Sequence, residues 1–169
     1  MGMFTPRKPA LPMSQPAALL ATWFGIGLLR PASGTWGSLA ALPLGAGLMW
    51  VGGPALLLAA TVVVFGLGCW AGDLYERAET AKDPSAVVID EVAGQWLLLL
   101  AVPLSWPAYV LAFLLFRVLD IAKPWPASWA DTRLSGGLGI MLDDMLAAAW
   151  GLAALLLLNM FVGWPEFLL

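Results

Sequence analysis

The chain has 169 residues, of which 61% are hydrophobic and 11% charged, where a soluble domain has roughly 45–50% apolar and about 25% charged residues. That is the composition of a membrane protein, and the length suits one domain. A net charge of −3 with only eight basic residues excludes the basic face of a nucleic-acid binder; a lone Cys69 and no histidine exclude an internal disulfide and zinc, haem or iron–sulfur sites, leaving a metal only oxygen donors, as magnesium, calcium and manganese prefer.

Pro6, Pro9, Pro12 and Pro16 mark residues 1–15 as a mobile proline-rich tail, leading into an interfacial helix over 17–29. Arg7 and Lys8 before an apolar stretch imitate a signal peptide, but no small-x-small cleavage site follows and Arg30 ends the stretch. Residues 31–72 carry no formal charge, and a crossing needs about 20 residues, so two crossings fit. Gly52-Gly53-Pro54 breaks the run and predicts helices over 36–51 and 54–72.

A second uncharged run, 92–116, is interrupted by Pro103-Leu104-Ser105-Trp106-Pro107. It is either one kinked crossing or a hairpin. The hairpin puts all eight basic residues on one face, as the positive-inside rule prefers, and predicts helices over 86–102 and 107–122. Residues 145–162 supply a last crossing, with Trp164 at the far interface and Glu166 as the only charge beyond it. The expected fold is therefore all-α: a multi-pass membrane helical bundle of about five hydrophobic helices with an N-terminal interfacial helix, residues 16–169 forming one membrane-embedded domain.

The hairpin draws the scarce charges together. Asp90-Glu91 stand at the start of one helix, Arg117, Asp120 and Lys123 follow at i, i+3, i+6 along another, and Asp143-Asp144 open the last helix after Gly136-Gly137-Leu138-Gly139. Acids at helix N-termini can simply complement the helix dipole. Five carboxylates and two cations on one face of so charge-poor a chain argue for more, because clustered carboxylates repel unless a cation sits among them. Magnesium fits, since it takes one or two carboxylates with water and substrate phosphate. Arg117 and Lys123 suit the remaining phosphate oxygens, and together these parts describe a phosphoryl-transfer site. Thr35 and Ser38, opening the first crossing, either cap it or help bind the phosphate.

Four blocks resemble the successive motifs of the phosphatidylglycerophosphatase A family. They are Gly34-Thr35-Trp36-Gly37-Ser38-Leu39, Val88-Ile89-Asp90-Glu91-Val92-Ala93-Gly94, Phe116-Arg117-Val118-Leu119-Asp120-Ile121-Ala122-Lys123-Pro124-Trp125-Pro126 and Gly136-Gly137-Leu138-Gly139-Ile140-Met141-Leu142-Asp143-Asp144. Order and spacing match across residues 25–148. The resemblance implies a magnesium-dependent, multi-pass bacterial inner-membrane enzyme with its site facing the cytoplasm, removing the terminal phosphate of phosphatidylglycerophosphate to give phosphatidylglycerol. It implies catalytic roles for Asp90, Glu91, Asp120, Arg117 and Lys123, and metal ligation by Asp90, Glu91, Asp120, Asp143 and Asp144. Asp131 matches a further family acid. Ser33 and Ser135 depart from the family's usual proline and its bulkier or basic residue.

The partners expected are the lipid substrate and the bilayer, with assembly into identical copies left open, as is attack by a metal-bound water versus a phospho-aspartate intermediate. Two other readings compete: a small cation transporter with carboxylate ligands, which should carry polar residues at mid-membrane, and a structural subunit, which leaves the carboxylates unexplained.

Overall fold

The computed structural model describes residues 6–79 and 81–169. Their regular structure is helical throughout: α1 (Pro16–Ala21), α2 (Ser33–Glu79), α3 (Ile89–Leu99), α4 (Trp106–Ala122), α5 (Ala127–Arg133) and α6 (Gly136–Val162), with 3₁₀ turns at Ile26–Leu28 and Glu166–Leu168. The all-α expectation holds. Among the described residues, α2 and α6 are the helices long and apolar enough to cross a membrane.

α2 is not one rod. A straight helix of its 47 residues would be about 70 Å long, yet Gly34 at its start and Asp83 just past its end line the same cavity. Gly53 accounts for this: its φ of 64° and ψ of −163° lie outside helical space, in a region that glycine alone enters without strain. Pro54 then opens the second arm, where its missing N–H costs little. The chain doubles back at the break that Gly52-Gly53-Pro54 predicts.

The second arm runs antiparallel to α6, with Gly68 against the Met141 side chain and Gly72 against Gly137. A side chain at Gly137 would collide with the Cys69 carbonyl. Gly45 meets Trp96 and Leu99 of α3, and Gly151 meets Leu98 and Leu119. Small residues at helix crossings let backbones approach closely, which is how helices associate where lipid supplies no hydrophobic drive. The large apolar side chains Trp50, Val62, Leu114, Ile121 and Phe161 point outward and are exposed, the arrangement suited to hydrocarbon.

α3 and α4 form the expected hairpin, for Glu91 in the first turn of α3 lies 4.0 Å from Arg117 near the end of α4. The turn between them is capped by Ser105, which accepts from the Ala108 N–H and donates to the Leu168 carbonyl; the turn and the C-terminus thus share one end. The extents differ from expectation. α3 covers 11 residues, about 16 Å, because residues 84–88 and 100–105 are turns. That falls short of the roughly 30 Å hydrocarbon core, so five full-length hydrophobic helices are not what the chain builds.

Three further corrections concern the polar end. α6 begins at Gly136, not near 145, and Asp143-Asp144 sit two turns inside it; the charges that look like a boundary are buried toward neighbouring helices instead. α5 is too short and polar to leave a hydrophobic period, and residues 17–29 are not one helix. α1 stops at Ala21, Trp23 and Phe24 take positive φ, and the Thr22 hydroxyl accepts from the Gly25 N–H.

Residues 6–15, expected as mobile tail, are tied to the body. The Arg7 N–H donates to the Leu28 carbonyl at 2.8 Å and the Ala10 N–H to the Tyr75 hydroxyl at 3.1 Å. Residues 1–5 of that tail lie outside the described residues.

Candidate active site

A cavity of about 230 Å³ opens where α2 begins, α3 begins and α4 ends. Asp90, Glu91, Arg117, Asp120, Lys123, Asp143 and Asp144 all line it, together with Ser33, Gly34, Asp83 and Ser85. The seven charged residues singled out in the sequence as catalytic or metal-binding therefore share one space.

Glycine makes the convergence possible. A Cβ on Gly34 would overlap a Glu91 carboxylate oxygen, so with glycine there the start of α2 closes over Glu91 without displacing its carboxylate. A Cβ on Gly94 would stand 2.6 Å from the Phe116 ring and 3.3 Å from the Asp144 carbonyl oxygen, so its bare Cα lets α3 approach α4 and α6 together. One turn above Gly94 are Asp90 and Glu91, and next to Phe116 is Arg117. The packing of the glycine thus sets the spacing of the charges.

Asp90, Glu91 and Asp144 each offer a carboxylate oxygen within 4.8 Å of the other two. Asp90, Asp143 and Asp144 are buried at 7%, 4% and 3% exposure. One Asp90 oxygen accepts the Glu91 N–H at 3.0 Å. Glu91 Oε2, Asp143 Oδ1 and Asp144 Oδ2 are buried with no hydrogen-bond partner among the described residues. Buried carboxylate oxygens left bare in this way are costly and mutually repulsive, and a hard cation among them removes both penalties. The donor set fits a divalent cation, with Asp90, Glu91 and Asp144 best placed to hold it.

The cations are held by other acids. Arg117 pairs with Asp120 at 2.7 Å, one turn along α4, and its second nitrogen function, Nε, has no partner among the described residues. Lys123 is the C-cap of α4, in the left-handed region at φ 43°, so it lies past the helix instead of continuing its face. Its ammonium bridges Asp131 at 2.7 Å and Asp143 at 2.5 Å. Burial works against that charge, but the hydrogen bonds to Asp131 and Asp143 outweigh it and hold the lysine above its ordinary pKa.

Thr35 and Ser38 are placed differently. Neither lines the cavity. Ser38 is buried, donates to the Gly34 carbonyl at 2.9 Å and accepts from Arg117 at 3.5 Å, so it steadies the arginine. The Thr35 N–H is turned to the Ala32 carbonyl at 3.0 Å and is not free for an anion. Asp83 and Ser85 are cavity residues the sequence reading did not single out. They sit in the loop after α2, where no motif or period distinguishes them.

Comparison with known proteins gives the chain a family. The profile of the phosphatidylglycerophosphatase A family matches residues 19–159. The chain is 43% identical over 136 residues to phosphatidylglycerophosphatase A of Haemophilus influenzae, covering 80% of this chain and 83% of that one. It is 40% identical over 146 residues to the protein of the same name in Escherichia coli, covering 83% and 81%. A Bacteroides thetaiotaomicron protein provisionally named phosphatidylinositol-3-phosphatase is 38% identical over 152 residues, covering 86% and 94%. No solved structure matches, and nothing in these comparisons supports a cation transporter. With the family profile spanning most of the chain and all four acidic and glycine motifs inside it, the protein belongs to the phosphatidylglycerophosphatase A family of phosphatases.

Proposed function

We propose that the protein hydrolyses the terminal phosphomonoester of phosphatidylglycerophosphate, releasing phosphatidylglycerol and phosphate, as a magnesium-dependent enzyme of the bacterial inner membrane with its cavity facing the cytoplasm. The observation that carries this is a three-carboxylate cluster and a guanidinium in one cavity at the end of a bundle whose outer surface is apolar. A lipid head group reaches such a site while its acyl chains stay in the bilayer. The names of the relatives supply the substrate.

In this reading Asp90, Glu91 and Asp144 hold magnesium, which when bound neutralises phosphate charge and lowers the pKa of bound water. Asp143 is drawn partly toward Lys123 and Asp120 toward Arg117, so these two acids serve chiefly to aim the cations. Arg117 presents its fork to the non-bridging oxygens of the phosphoryl group, where a charge-assisted donor strengthens as charge builds in the transition state. Lys123, fixed between Asp131 and Asp143, adds a point charge in the same cavity. Ser38 positions Arg117. In this reading both arms of α2 and α6 cross the bilayer while the α3–α4 hairpin enters and leaves on one side, which would keep all three polar segments on the cytoplasmic face.

The test is phosphate release by purified protein from phosphatidylglycerophosphate, phosphatidate and lysophosphatidate in mixed micelles, with magnesium and with excess chelator. Turnover should require the metal and favour phosphatidylglycerophosphate. Asp144→Asn should lower kcat/KM by at least about 10²-fold, a loss on the order of 2.7 kcal/mol. Undiminished turnover in chelator would overturn the metal assignment.

A further inference from the structure

Beside the catalytic cavity lies a larger one, about 700 Å³, lined by Arg7, Lys8, Arg30, Glu79, Asp83 and Ser85 among others. The two cavities share Asp83 and Ser85 in their walls. Their charges are opposed. In the catalytic cavity six carboxylates face two cations, whereas in its neighbour three cations face two carboxylates. Arg7 is not a loose surface residue: its backbone N–H is bonded to Leu28, its guanidinium donates to the Ser85 hydroxyl on the shared wall, and its buried Nε has no partner among the described residues. Arg7 and Lys8 precede the stretch matched by the family profile, which begins at residue 19. This part of the wall is therefore contributed by the chain's own N-terminal segment.

We infer that this basic vestibule is a second phosphate-binding site, separate from the cavity in which hydrolysis takes place. The inference rests on the phosphatase reading above. A phosphate approaching six carboxylates is repelled until a cation is in place, and a positive cavity sharing the same wall attracts it nearby. Two guanidinium groups and an ammonium suit its oxygens. The oxyanion has two sources of the same chemistry: the phosphodiester within the substrate lipid, and the orthophosphate leaving after hydrolysis.

The experiment compares the full chain with its Arg7→Gln/Lys8→Gln/Arg30→Gln variant in neutral detergent micelles with magnesium, at low ionic strength. It measures KM for phosphatidylglycerophosphate, KM for phosphatidate, which lacks a second phosphate, and the inhibition constant of orthophosphate. Losing charge-assisted bonds to one phosphate should change the affected constant by about tenfold or more, with kcat little altered. A rise in KM for phosphatidylglycerophosphate alone identifies the lipid diester; a rise in the orthophosphate constant alone identifies the leaving product. Either supports the site. All three constants within about twofold of the parent, or both KM values rising together with no change for orthophosphate, overturns it. Arg30→Gln alone, at an exposed side chain outside every helix, repeats the test if the triple variant unfolds. A parent protein that releases no phosphate from any of the lipids fails the phosphatase reading instead, and equilibrium dialysis of orthophosphate against parent and variant then decides the vestibule, equal binding overturning it.

Discussion

Gly94→Ala is a one-carbon change whose effect can be worked from the packing. The added Cβ would lie 2.6 and 2.7 Å from two carbons of the Phe116 ring and 3.3 Å from the Asp144 carbonyl oxygen. Carbon atoms prefer about 3.5–4.0 Å, so α3 and α4 must separate by about 1 Å. Overpacking of this kind costs about 1–3 kcal/mol, while alanine gains about 1 kcal/mol over glycine in helix propensity; the net loss of stability is about 0–2 kcal/mol. Activity should suffer more, because Asp90, Glu91 and Arg117 ride on the two helices being forced apart, and misplacement of reacting groups by about 1 Å costs on the order of 10²-fold. The assay sets initial rates of phosphate release beside thermal unfolding of the same samples in detergent. Gly94→Ala should remain folded with a small fall in Tm and lose about 10²-fold in kcat/KM, and Phe116→Leu in the same chain, by removing the ring edge, should recover part of it. A Gly94→Ala protein with more than half the parental kcat/KM would refute the idea that this glycine sets the spacing of the charges.

Other substitutions separate the roles of the cations and test the topology. Arg117→Met leaves Asp120 without its cation and should cost about 1–3 kcal/mol of stability, while kcat/KM of the folded fraction falls by about 10²-fold, as for loss of one oxyanion donor; Ser38→Ala, which only steadies Arg117, should lower kcat/KM by about tenfold or less, and equal losses would mean the serine touches substrate. Lys123→Met leaves Asp143 buried without its cation, so unfolding in detergent should show a loss of about 1–3 kcal/mol, between exposed and fully buried pairs, and Asp143→Asn in the same chain should restore part of it. Single cysteines at Ala81 and Ser128, with Cys69 replaced, should both be labelled from the cytoplasmic side and one at Glu166 from the other side; opposite labelling of the first two would contradict the hairpin.

How much of this was legible in the sequence follows from what each signal is made of. The doubling-back at Gly53 and the α3–α4 hairpin were readable because glycine and proline act locally, and because eight basic residues segregate by sign. The convergence of Asp90, Glu91, Arg117, Asp120, Lys123, Asp143 and Asp144 followed from the hairpin. The start of α6 was not legible, since Asp143 and Asp144 read as a boundary until Lys123 and the cavity are seen to receive them. Asp83, Ser85 and the docking of Arg7 depend on tertiary packing of loops, for which no period exists. At Thr35 and Ser38 the sequence leaves capping and phosphate binding open, because a helix start serves both, and the Thr35 N–H is used within a turn.

The enclosure of α3 has a consequence for how the protein is made. Ile89, Val92, Leu98 and Leu99 are fully buried, as is the polar Gln95, and the helix carries Asp90 and Glu91 in its first turn. A segment this short and this polar has little affinity of its own for hydrocarbon. What keeps it in place is the groove formed by the arms of α2 with α6, so the seating of α3 depends on helices that precede and follow it in the chain. A chain interrupted before α6 would lack Asp143 and Asp144 as well as one wall of the enclosure around α3.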